Sequence, residues 1–173
     1  VTLDLLQVGE QAVEKKMSKY IYLAGGMEKS IDGKEWREKA QRVLEGLGHK
    51  IFNPYDEEPR IFGDQGPVYD LIYRYDKEKD YRKYNEVMSD IVRYDLGKIR
   101  DEITDILVRF DESVLLGAGT YAEISLAHLL DKPVHCYLYG IGIRRVPAWA
   151  IGCFTTIGYN LDEALDNLVK YDG

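Results

Sequence analysis

Apolar positions change period along this chain, and each change marks an element. YIYLAGG, Tyr20–Gly26, is a short aromatic and β-branched run that ends in glycines, the pattern of a strand delivering a turn. From Gly33 the spacing becomes helical: Trp36, Ala40, Val43, Leu44 and Leu47 recur on one face, and Gly48 follows at the C-cap position. Lys50–Asn53 returns to strand character, and Pro54 stops it. A strand, a helix and a second strand in this order predict a right-handed crossover in a parallel sheet.

The alternation continues downstream. Tyr84, Val87, Met88, Ile91, Val92 and Leu96 predict a helix from Asp80 to about Lys98. ITDILVRF, Ile103–Phe110, reads as the third strand, and the helix of GAGTYAEISLAHLL follows it with Glu123 in its first turn. KPVHCYLYG supplies a fourth strand and Cys153–Ile157 a fifth. The tail NLDEALDNLVKY fits a helix capped by Asn160, with Glu163 at the capping-box position. Between Pro54 and Asp80 the chain is longer than a crossover loop requires, which fits a segment covering a pocket. Tyr69 and Tyr73 there equally fit one face of a small helix. Leu3, Leu6, Ala12, Val13 and Met17 give residues 1–18 the stripe of an amphipathic helical extension, packed on this domain or on a partner subunit. The predicted architecture is α/β: a single-domain, three-layer sandwich over residues 19–173, flavodoxin-like or Rossmann-like, with a central, mainly parallel five-stranded sheet.

Composition narrows the function classes. A length of 173 residues, 45% apolar and 31% charged, is ordinary for one globular domain with a substantial core. A net charge of -7 excludes the concentrated cationic surface that a nucleic acid polymer requires, while leaving a small anionic substrate open. Cys136 and Cys153 have no metal-type spacing, Cys136 sits in an apolar run, and neither demands an oxidising compartment. His49, His128 and His135 share no ligand spacing, so no metal is expected. There is no long uncharged run to cross a membrane and no secretory pattern at the start, so a cytoplasmic location is the expectation.

In parallel α/β folds, ligands gather beyond the carboxyl ends of the strands. Gly25 and Gly26 follow strand one, Asn53 ends strand two, and Asp111 with the Gly117–Thr120 turn follows strand three. The GAGT turn lacks the lysine of a P-loop, and no complete GxGxxG follows strand one, so a dinucleotide cofactor is not expected. Glu123 has two readings. Acids near a helix N-terminus stabilise its dipole, and a carboxylate there also projects toward the sheet mouth as nucleophile, base or hydroxyl ligand. Chemistry at an acetal-like carbon calls for a second acid. Asp95 in YDLGKI is one candidate, with Asp90 and Asp105 as alternatives.

Taken in order, YIYLAGG, the NP after strand two, YDLGKI, GTYAE and KPV resemble the nucleoside 2-deoxyribosyltransferase family, which includes related nucleotide N-glycoside hydrolases. The likeness runs from about Tyr20 to Val134. It implies that Glu123 is the nucleophile, that Asp95 transfers a proton to the base, and that Tyr22 holds the glutamate. Gly25, Gly26, Gly119 and Thr120 match positions that shape the sugar pocket. The resemblance also implies a small-molecule nucleoside or nucleotide substrate, no cofactor, and a homo-oligomer.

Two departures stand beside it. Six residues before Glu123, where transferases carry an aspartate and nucleotide hydrolases often a serine, this chain has Gly117. Asp111 or Ser113 would have to supply the missing group from earlier in the loop. Transferases also take an asparagine from a neighbouring subunit after strand four, and residues 144–156 contain none. Arg144 and Arg145 read either as solvated charge or as a contact to a 5′-phosphate, and the tyrosines at 69, 73 and 75 as possible base contacts. Trp36 and Trp149 read as core or interface.

Overall fold

In the computed structural model, which describes residues 17–27, 30, 32–57 and 68–172, the periods of the sequence resolve into alternating strands and helices. β1 (Tyr20–Ala24) leads to α1 (Gly33–Gly46), and β2 (Lys50–Phe52) follows. A helical turn at residues 54–57 precedes α2 (Val68–Lys77) and the long α3 (Tyr81–Asp101). β3 (Asp105–Phe110) then leads into α4 (Gly119–Leu129) and β4 (Val134–Leu138). The chain finishes with α5 (Ala148–Cys153), β5 (Thr156–Gly158) and α6 (Leu161–Lys170).

The strands form one sheet in the order β2-β1-β3-β4-β5, with every neighbouring pair parallel. β3 is central and buried at every position, as a strand covered on both faces must be. Successive β1 side chains alternate between two cores. Tyr22 and Ala24 join Phe52, Ile106, Val108, Phe110 and Ile124 on one face. Ile21 and Leu23 join Trp36, Ala40, Leu44, Leu107 and Leu168 on the other. The three-layer, five-stranded parallel sandwich expected from the periodicity is the fold observed.

Several local expectations change. Cys153 belongs to α5 rather than to the fifth strand, which starts at Thr156. Of the two readings open for the tyrosine-rich stretch, the small helix is the one observed: residues 68–77 are helical, with Val68 and Leu71 buried against Tyr75, Val87 and Ile91, while Tyr73 is 70% exposed. Trp36 is core, but Trp149 is 75% exposed, its indole N–H donating to Ser125 Oγ at 3.1 Å. Residues 1–16, and so most of the proposed N-terminal helix, lie outside the described residues; Met17 is exposed. Asn160 caps α6 as expected, accepting from Glu163 N at 2.9 Å, while Glu163 reaches back to Tyr159 N rather than to the cap's own amide.

At the amino edge of the sheet, Lys19 Nζ donates to Asp105 Oδ1 at 2.8 Å and to the carbonyls of Leu168 and Tyr171 at 3.1 and 3.0 Å. His135 Nε2 lies 3.5 Å from the same Asp105 oxygen, and its Nδ1 is 2.9 Å from Thr156 Oγ1. Asp105 is therefore a structural ion-pair partner, at the opposite end of β3 from the carboxyl edge where ligands gather.

Candidate active site

The carboxyl edge of β1 brings three of the sequence-predicted residues together. Tyr22 points into the face shared with α3 and α4, and its ring stacks on Phe52 of β2 at 4.9 Å between centroids. That stacking fixes the phenol, and Tyr22 Oη donates to Glu123 Oε1 at 2.7 Å across the sheet–helix boundary. α4 starts at Gly119 with no acid in its first turn, and Glu123 lies four residues on, about one helical turn in, where the sequence spacing puts it. That position is poor for dipole stabilisation, which falls off within the first turn. A hydrogen-bonded role fits it better.

Asp95 comes from α3, which packs along α4. Its carboxyl is raised from the ordinary 3.8 to about 7. Burial is the main cause, the negative charge of Glu123 adds to it, a hydrogen bond with Tyr22 partly opposes it, and Glu57 raises it further. Glu57 closes the helical turn after β2 and accepts from Tyr94 Oη at 2.6 Å. Glu123 is also raised by burial, but the Tyr22 hydroxyl and the Arg37 guanidinium hold it down. Tyr22 itself is pushed well above its ordinary value, first by burial and then by Glu123 and Asp95, so it remains a donor. The two carboxyls thus meet at one phenol with different environments. Burial raises both, and at Glu123 the Tyr22 hydroxyl and the Arg37 guanidinium oppose part of the rise.

The glycines frame this edge. Gly25 has φ +149°, and a Cβ there would stand 3.1 Å from Arg109 O. At Gly26 a Cβ would come within 2.0 Å of Ser113 Oγ, so only glycine fits. Gly117 and Gly119 open onto empty space, whereas Thr120 is buried. Asn53 is at the end of β2 as predicted, but its side chain is used locally: Oδ1 accepts from Tyr55 N at 3.3 Å and Nδ2 donates to Gln41 at 3.2 Å.

Asp111 is likewise occupied. It accepts from Arg109 Nε at 2.8 Å and from the Ser113 amide at 2.9 Å, and the Ser113 hydroxyl also bonds to it. Arg109 in turn pairs with Asp32 and lies 3.9 Å from the Tyr139 ring centroid. Arg145 pairs with Glu112 on the surface, Arg144 is exposed, and Asp90 is an exposed partner of Arg93. Among the described residues no group of His, Cys, Asp and Glu is arranged to hold a metal ion.

Sequence reading missed three contributors. Arg37 is not among the residues singled out from the sequence, yet it is fully buried under the β1 turn. Glu57 and Arg109 were equally inconspicuous. A charged residue immediately after Trp36, on the helix that follows the glycine turn, was the available signal for Arg37.

The fold and site together define a parallel α/β sandwich in which two carboxyls meet at a tyrosine of the first strand. No protein-family profile matches the chain, and no curated protein matches it. Among solved structures it is similar to a 2-deoxyribosyltransferase from the psychrotolerant bacterium Bacillus psychrosaccharolyticus, at 16% identity and a TM-score of 0.56. The match covers 88% of this chain and 92% of that one. The two proteins share this fold. No helix among the described residues is long and apolar enough to cross a membrane.

Proposed function

We propose that the protein is a nucleoside 2-deoxyribosyltransferase-like enzyme that cleaves the N-glycosidic bond of a 2′-deoxynucleoside or its monophosphate. The observation that carries this reading is the Tyr22–Glu123 hydrogen bond of 2.7 Å beside an Asp95 raised to about 7. Glu123 attacks the anomeric carbon, forming a glycosyl ester as the C–N bond breaks. Asp95 delivers its proton to the departing base. An acceptor base then attacks the ester and restores the starting stereochemistry, or water does so and the outcome is hydrolysis. Tyr22 keeps the attacking oxygen oriented and shares its charge until the bond forms. Gly25, Gly26, Gly119 and Thr120 shape the sugar pocket. The likeness to a 2-deoxyribosyltransferase structure supports this reading through the shared fold, and the YDLGKI and GTYAE segments support it through the residues they deliver.

Asp111 fits less well as a direct substrate ligand, because Arg109 and Ser113 already engage it; its place in this reading is to hold the loop beside Gly26. The test is incubation with deoxynucleosides and their monophosphates, with and without a second base, followed by product separation. Base exchange identifies a transferase, free base and sugar identify a hydrolase, and no product with measurable binding identifies a nucleotide-binding domain.

A further inference from the structure

The turn after β2 carries an acid that the proposed reaction does not use. Asn53 caps this turn by accepting from Tyr55 N at 3.3 Å, and Pro54, which has no amide hydrogen to leave unpaired, opens it. Glu57 closes the turn and is only 7% exposed. Its Oε2 accepts from Tyr94 Oη of α3 at 2.6 Å, across 37 residues of sequence. Burying a glutamate is costly unless its oxygens are engaged, and a short bond from a phenol is an engagement of the required kind. The bond ties the carboxyl edge of β2 to the long helix.

Tyr94 immediately precedes Asp95 on α3. Whatever fixes the angle of one side chain about the helix axis therefore fixes the other, about 100° further round. The Tyr94 ring lies 6.0 Å from that of Phe52, and Phe52 stacks on Tyr22 at 4.9 Å. Tyr94 thus meets the sheet twice: by its ring, at the platform that holds the Tyr22 phenol, and by its hydroxyl, at the turn. Four residues beyond Asp95, Ile99 is fully buried in the same core and anchors the helix. Apolar contacts set how close α3 lies to the sheet but are non-directional, so they allow a small roll about its axis. A hydrogen bond is directional and removes that freedom. We propose that Tyr94 and Glu57 are a positioning pair for the reaction: their bond sets the roll of α3 on the sheet and so aims the Asp95 carboxyl at Tyr22 and the departing base.

Tyr94→Phe removes the hydroxyl and keeps the ring on Phe52. At pH 6, below the Asp95 midpoint of about 7, kcat on donors with poor leaving bases should fall about 10- to 100-fold with little change in KM, the cost of an ångström-scale misplacement. An activated 2-deoxyribosyl donor, which needs no proton from Asp95, should lose no more than about 3-fold. Glu57→Ala should reproduce the Tyr94→Phe defect, whereas Glu57→Gln, which keeps an acceptor for the phenol, should restore most of the activity. The double variant Y94F/E57A should be no worse than either single one, because both remove the same bond. The two glutamate variants carry the test should Y94F not fold.

This inference rests on the proposed proton transfer by Asp95, and one readout without turnover separates the two ideas. Aspartate carboxyls are labelled with carbon-13, and Asp95 is assigned by D95N. Burial is what chiefly raises this carboxyl, with Tyr22, Glu123 and Glu57 the groups that act on it. A roll towards water in Y94F should lower its midpoint by about one pH unit or more. An unmoved Asp95 midpoint, an equal loss on both donor types, or additive losses in Y94F/E57A would overturn the positioning role and leave the pair as a structural tie. A lowered midpoint in a protein whose wild type cleaves no donor would leave the positioning of Asp95 standing and sink the proposed reaction.

Discussion

Asp95→Asn offers a test in which stability and activity move in opposite directions. In the folded protein the Asp95 carboxyl titrates at about 7 against an ordinary 3.8, a gap of roughly three pH units. At about 1.4 kcal/mol per unit the gap corresponds to an upper figure of about 4 kcal/mol. The side chain is only partly shielded from solvent and shares its site with Glu123, so about 2 kcal/mol is the working value. The sign follows from linkage. The folded value is raised, so the stability associated with the neutral acid is fully present below about pH 4 and is lost as pH rises through about 7.

An asparagine at 95 never ionises and keeps that stability. Urea unfolding at fixed protein concentration should therefore show D95N gaining on the wild type by about 2 kcal/mol between about pH 4.5 and pH 8. The same substitution removes the proton donor, so cleavage of donors with poor leaving bases should fall by about 100- to 10,000-fold. An activated donor should lose much less. A stability gap that stays constant with pH would refute the raised carboxyl. An equal loss on both donor types would reduce Asp95 to a positioning role.

Four further outcomes follow from the same geometry. Glu123→Ala should keep the fold and lower turnover by at least about 100-fold; normal turnover in the folded variant, read by circular dichroism and product analysis, would return Glu123 to a structural role. Gly26→Ala should destabilise by about 1–3 kcal/mol in thermal unfolding, because its methyl would have to displace Ser113 and with it the Asp111 loop. Asp105→Ala, which strands Lys19 and His135 at the far end of the sheet, should cost about 3–5 kcal/mol while leaving the kinetics of the folded fraction unchanged. The family resemblance and the exposed Trp149 favour a homo-oligomer, so light scattering that gives only a monomer of about 20 kDa over a wide concentration range would count against pockets at subunit boundaries.

The fold was legible because burial on both faces leaves a plain mark. β3 and β4 are short, mostly apolar runs buried at every position, and α1 carries its core residues at helical spacing. Boundaries set by tertiary packing were not legible: Cys153 reads as strand from its neighbours, but its contacts place it at the end of α5. The same division holds at the site. Tyr22, Asp95 and Glu123 sit in segments whose order resembles a known family, and the structure brings all three to one hydroxyl. Asn53 and Asp111 were correctly placed at strand ends, yet sequence does not show that their polar atoms are consumed locally. Arg37 was hidden for the opposite reason, since an arginine in a helix rich in charge gives no sign of burial until the Trp36 and Tyr55 rings around it are known.

The contacts of Lys19 also bear on the order in which the chain can fold. Its ammonium joins carbonyls 149 and 152 residues away, and these bonds require β1, β3 and the last helix to be in place together. Such a contact carries the full entropy of closing almost the whole chain and rewards only the final stage of assembly. It is therefore absent from early intermediates and selectively slows unfolding, acting as a latch on a completed sheet rather than as a guide to it. Hydrogen exchange should then release α6 as a unit before the amides of β3, with the opening of that helix freeing Lys19 at the same moment.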